Sequence, residues 1–120
     1  MKIKKRIELV REDVRDSEAR DVRFYPVITA RDGAPNFSLR LFEIEPGGNT
    51  PYHGHEWEHE VYIIEGIGFI NGENKKLRIE KNDFIYIEPE EIHQFIAGDC
   101  GLKMICIVPN KGHPCIECNG

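Results

Sequence analysis

From Val22 to Val108 the chain breaks into short apolar runs, each closed by glycine, proline, asparagine or aspartate, and no stretch carries a helical period. Short apolar runs between such breakers are how an antiparallel sandwich or barrel reads. Strands are expected at Val22–Thr29, Phe37–Glu45, His59–Glu65, Gly68–Asn71, Lys76–Glu80, Phe84–Glu88, His93–Ala97 and Leu102–Val108. Asn71-Gly72 marks a hairpin, and Glu45-Pro46-Gly47-Gly48 a turn delivering the chain to the segment that follows. The fold class is therefore all-β. A chain of 120 residues fits one domain and buries about two-thirds of its unfolded surface without disulfide staples.

That segment is Pro51-Tyr52-His53-Gly54-His55-Glu56-Trp57-Glu58-His59-Glu60, which holds three of the five histidines within seven positions. Side chains two apart on a strand share a face, so His53 and His55 can direct their imidazoles to one point. His59 has the same parity but lies too far along, because four extended residues span roughly 13 Å. Ligands of one ion sit only about 2.1 Å from it. The chain must bend at Glu56-Trp57-Glu58, and His59 should open a new strand.

Read with His93, these residues resemble the cupin pattern of glycine, His-x-His, glutamate and a closing glycine, here Gly47, His53, His55, Glu60 and Gly66, with the last gap one residue short. Small single-domain cupins carry His-x-His-x-Trp-Glu-His-Glu, with the third histidine replacing glutamate as ligand. The stretch His53 to Glu60 is similar to it. Asp32 to Phe37, Arg40-Leu41-Phe42, Glu45 to Gly48 and Glu88 to Phe95 look like further segments of the small manganese-binding cupins. The second cupin motif departs from its general form at Asp83, Glu91 and Ala97 and has one residue fewer before His93, which touches turns and not the ligand.

The resemblance covers roughly residues 20 to 110. It implies a double-stranded β-helix or jelly-roll barrel whose metal is held by His53, His55, His59 and His93. It also turns Arg40, Met104 and Cys106 towards the metal, and it implies a homodimer with Tyr62, Ile64 and the N-terminal segment as contacts. On this reading residues 1–20 are an arm, 21–110 the barrel and 111–120 a tail.

Strand parity sorts the interior. If His59 points inward, so do Val61 and Ile63; if His93 does, so does Phe95. Met104 and Cys106 share one face, and Arg40, Phe42 and Ile44 share another. Trp57 reads as a wall of the bend. Glu56, Glu58 and Glu60 read as facing water or accepting from imidazole N–H groups, and His113 as a satisfied surface or core residue.

Four neutral imidazoles without thiolate leave a divalent ion its full charge, and an octahedral ion keeps two positions open. Manganese or iron is the expected metal. Zinc prefers four ligands, while copper and nickel bind histidine tightly and suit the same set. The expected function is a metal-dependent oxygenase or related enzyme acting on a small organic molecule, and the resemblance adds oxidative cleavage of a carbon–carbon double bond as one reaction. The competing expectation is a non-catalytic, metal-dependent module that binds or senses a small carboxylate.

The formal charge of -5 argues against a nucleic-acid partner; the basic Lys2 to Arg6 cluster is short and followed by the acidic mixture Glu8 to Asp21. No apolar run reaches the roughly 18 residues of a membrane span, and the N-terminal residues lack the apolar core that a signal peptide needs. A cytoplasmic location with four reduced cysteines is the default expectation. The tail His113-Pro114-Cys115-Ile116-Glu117-Cys118 offers at most three metal ligands and reads as inert, the alternative being an adventitious or intersubunit metal site.

Overall fold

The computed structural model describes residues 1–113 apart from 13 and 15; the Cys115 and Cys118 tail lies outside the described residues. Its six strands are β1 (Arg20–Ile28), β2 (Phe37–Asn49), β3 (His59–Asn71), β4 (Lys76–Glu80), β5 (Phe84–Ile87) and β6 (Gln94–Pro109). Among the described residues the only helices are short 3-10 turns at Arg6–Glu8, Ala30–Asp32 and Asn110–Gly112. None is long and apolar enough to cross a membrane.

The sheet runs β1-β2-β6-β3-β4, every pair antiparallel, with β5 also pairing β3. β3 and β6 make the spine. β6 follows one edge of β3 from Glu60↔Ile107 to Asn71↔Gln94, while the other edge of β3 pairs β5 through His59–Tyr62 and β4 through Ile67–Asn71. This is the expected all-β jelly-roll barrel in a single domain.

Where eight strands were expected there are six, for a common reason. A glycine that breaks a run can end a strand or bulge it, and the partner strand decides which. Gly66 takes φ 99° between two register shifts of β3 against β6, and a Cβ there would come within 2.1 Å of the Gly101 carbonyl oxygen. Backbones that close admit only glycine, and both strands continue past the point. Likewise Glu45-Pro46-Gly47-Gly48 is not a turn but a stretch of β2, where pairing with β6 lapses between Ile44 and Asn49. Proline is tolerated there because it owes the ladder no hydrogen bond. The Asn71-Gly72 hairpin forms, its loop closed by the Gly72 N–H donating to the Lys75 oxygen at 2.8 Å.

Inward parity follows expectation: Val61, Ile63 and Phe95 are buried along with His59 and His93. Ile63, Leu102 and Val108 are fully enclosed, each contributing about 1.5–3 kcal/mol of apolar burial. The N-terminal segment lies along its own chain. Glu12 bridges to Phe24, Lys4 pairs with Asp32 at 2.7 Å, and Arg6 reaches Glu43 at 3.1 Å while covering the Tyr25 ring.

Candidate metal centre

His53 and His93 meet because their backbones do. They form an isolated antiparallel bridge, the His53 N–H donating to the His93 oxygen at 3.2 Å and the His93 N–H to the His53 oxygen at 3.0 Å. Such a hydrogen-bonded pair sets two Cα atoms about 5.5 Å apart. His55 keeps strand parity with His53, and their ring centroids are 4.2 Å apart. Between them, Gly54 lets the chain press onto the following loop. The Glu90 N–H donates to the His55 oxygen at 2.5 Å, and a Cβ on Gly54 would lie 2.8 Å from the Glu90 oxygen.

The ligand atoms of His53, His55 and His93 lie within 4.8 Å of one another. Ligating nitrogens on opposite sides of one ion stand about 4.2 Å apart, close to the spread of this set. His59 is outside that group of three. The bend at Glu56-Trp57 nevertheless brings its ring to 5.2 Å from His55 and 4.9 Å from His93, centroid to centroid. Its Nδ1 is 3.3 Å from Cys106 Sγ, and its Nε2 is buried without a partner. An unsatisfied buried polar atom costs about 1–3 kcal/mol, and a bound cation would relieve it. Glu56, Glu58 and Glu60 are exposed, with Glu60 between Ile107 and Tyr86 in the sheet. The imidazole acceptor is a backbone group instead: His93 Nδ1 lies 2.9 Å from the Glu91 oxygen. A proton on Nδ1 leaves Nε2 as the ligating atom.

Burial sets the charge of these rings. It lowers the pKa of His59 to about 3, assisted by His93 and Arg40, and that of His55 to about 4, assisted by His53 and His93. His93 is lowered as well, chiefly by burial, with the Glu91 carbonyl working against it. Near neutral pH these imidazoles are uncharged, the form in which histidine binds metal. The gathering of the His53, His55 and His93 ligand atoms fits a divalent ion.

The cluster lines a cavity of about 410 Å³, which Phe24, Phe42, Phe95 and Met104 make apolar. Arg40, Met104 and Cys106 line the same space, so all seven residues singled out from the sequence come to one cavity. Register explains it: Arg40 faces Cys106 and Phe42 faces Met104 across β2 and β6. Arg40 Nη2 donates to Cys106 Sγ at 3.2 Å, and Arg40 and Cys106 are both buried.

Two readings from sequence need correction. Trp57 does more than wall the bend, since its indole stacks on His55 with centroids 4.8 Å apart and planes within 5°. His113 is not a satisfied bystander. It lines the cavity 5.8 Å from the Phe24 ring, with both ring nitrogens buried and unpartnered, and burial lowers its pKa to about 4. The Asn110–Gly112 turn folds it there, with Gly112 packed on the Trp57 indole. That contact joins segments far apart in the chain and leaves no local pattern.

A jelly-roll barrel with histidines gathered inside it defines the cupin class. Residues 40–108 match the cupin domain family Cupin_2, more than half of the chain, and the chain belongs to that family. It is similar to the polyketide cyclase RemF from Streptomyces resistomycificus, with 32% identity over 92% of this chain and 80% of that one and a TM-score of 0.86. A predicted oxalate decarboxylase from Thermotoga maritima shares the fold at 18% identity, with a TM-score of 0.78 over 90% of this chain and 98% of that one. The uncharacterized protein MJ1618 of Methanocaldococcus jannaschii is 37% identical over 71 residues, 58% of this chain and 57% of its own length. The chain thus aligns with little more than half of that relative.

Proposed function

We propose that the chain is a metal-dependent enzyme of the oxygenase type, acting on a small organic molecule at a site of four histidines, His53, His55, His59 and His93, that takes manganese or iron. The carrying observation is the unpartnered, buried Nε2 of His59 beside three histidines whose ligand atoms already cluster. Among the described residues no carboxylate joins that cluster, which favours the four-histidine set over a glutamate-containing one. A bound divalent ion of this kind supplies Lewis acidity and open positions for small ligands. The protein's own part is to hold the imidazoles neutral, to fix the His93 tautomer through the Glu91 carbonyl, and to keep water from the reacting molecule with Phe24, Phe42, Phe95 and Met104.

Likeness to a polyketide cyclase favours a second reading, ring closure of a bound chain without oxygen. The two part on oxygen uptake. The test is elemental analysis of protein produced with several metals supplied, then an oxygen-uptake screen over small alkenes and catechols. About one ion per chain and metal-dependent uptake are expected; stoichiometric metal without uptake on any member would favour the cyclase or a binding module. His59→Ala should lose most of the metal and Glu60→Ala should retain it. The reverse result would put Glu60 in the ligand set.

A further inference from the structure

We propose that Arg40 anchors an anionic group of the molecule bound in this cavity, so that the site selects small apolar carboxylates; this rests on the cavity being the substrate site. Arg40 is only 5% exposed. Its Nε is buried with no acceptor, its Nη2 donates to Cys106 Sγ, and among the described residues no carboxylate pairs with it. What surrounds it otherwise is ring surface, with the guanidinium carbon 5.3 Å from the Phe42 centroid and 5.9 Å from that of Phe24. Guanidinium is charged at every accessible pH, and buried charges are normally paired. Among the described residues that partner is absent.

The acids that line the same cavity are occupied. Glu12 pairs with Arg31 at 3.2 Å, and Asp16 accepts from the Glu18 N–H at 2.9 Å. Among the described residues the other unpartnered buried side-chain polar atoms at this cavity are ring nitrogens of Trp57, His59 and His113, and none is a carboxylate oxygen. Lys111 stands on the lining as a second cation. A carboxylate matches a guanidinium with two parallel acceptors, and the aromatic walls suit an apolar body. Cys106 Sγ lies 3.2 Å from Arg40 Nη2 and 3.3 Å from His59 Nδ1, so an acid held by Arg40 lies beside the histidine cluster.

The test is calorimetric titration of the full chain with trans-cinnamate and its uncharged isostere trans-cinnamamide, with metal content measured on the same samples. Cinnamate should bind about 10- to 100-fold tighter, the range for hydrogen bonds to charged groups. Arg40→Gln should erase that ratio at unchanged metal content, and Arg40→Lys should restore part of it. Equal affinity for the two probes, no cinnamate binding, or a ratio that survives Arg40→Gln overturns the proposal. Should the glutamine variant not fold, a crystal structure of the parent with cinnamate decides, since a carboxylate seated on the metal or on Lys111 overturns it equally. Samples without metal would sink the metal-centre reading while the Arg40-dependent ratio is still read; metal without the ratio sinks this proposal alone.

Discussion

At His59 one ring nitrogen faces a sulfur and the other faces nothing, and the ring cannot take a proton without leaving a charge in an apolar cavity. The same holds around it. His59 titrates near 3, His55 and His113 near 4, and His93 below its ordinary value, each chiefly through burial. In the unfolded chain these groups titrate near about 6.5. As pH falls through that value the unfolded chain takes up protons that the folded one refuses, so stability drops and goes on dropping until the folded values near 3 and 4 are reached. A metal on the ligating rings acts in the same direction, because ion and proton compete for one lone pair. Asp32, Glu43 and Glu91 have pKa values already below the usual carboxylate range, the first through Lys4 and the last through the Glu88 backbone. They do not titrate between about pH 7 and pH 5. Thermal unfolding followed across that window should show a falling midpoint. A flat one would mean that these rings protonate as easily folded as unfolded.

Strands are local objects, and their legibility varied with how local the deciding contact was. Lys76–Glu80 was readable to the residue because a hairpin precedes it and an Asn82 turn follows it. Sequence alone splits β3 and β6 into two strands each, because Gly66 and Gly101 look the same whether the chain turns or bulges. The His53 and His55 pair was legible from parity alone, and the bend before His59 from reach. Nothing local announced His113 or the stacking of Trp57 on His55. Gly54 shows how tightly the element between these histidines is built, since a Cβ would meet the Glu90 backbone and not a movable side chain. Gly54→Ala should cost about 1–3 kcal/mol, as overpacking does, and shift His53 and His55 enough to weaken metal binding about tenfold or more, because ligands must be held to within about 0.5 Å. Gly72→Ala is the control, as its nearest contacts are the flexible Lys75 side chain. Equal metal affinity in the two variants would show that the Glu90 contact does not position the histidines.

Register aligns Tyr25, Leu41, Ile105, Tyr62 and Phe84 into one row across β1, β2, β6, β3 and β5, with Leu41 buried and Phe84 exposed. Arg6 covers the Tyr25 end. The other end is open: Phe84 is 82% exposed, Tyr86 is 60% exposed, and the Tyr62 and Phe84 rings lie 4.9 Å apart. A contiguous apolar patch of this kind marks an association surface, and a patch that meets itself about a two-fold axis closes into a dimer without leaving edges for further growth. We propose that a second copy of the chain covers it, with Ile64 beside Tyr62 at the contact. The same β3 carries Tyr62 outward and Val61 and Ile63 inward from His59, so an interface there would also steady the wall of the cavity. Sedimentation equilibrium should give twice the 13.9 kDa of one chain. Phe84→Glu places an unpaired charge on the exposed end of the patch without removing any core packing, so it should give the monomer mass with an intact fold. A parent that sediments as a monomer would sink the dimer. A dimer that survives Phe84→Glu would move the interface elsewhere, with the N-terminal segment and its exposed Ile3, Ile7 and Val10 the next surface to change.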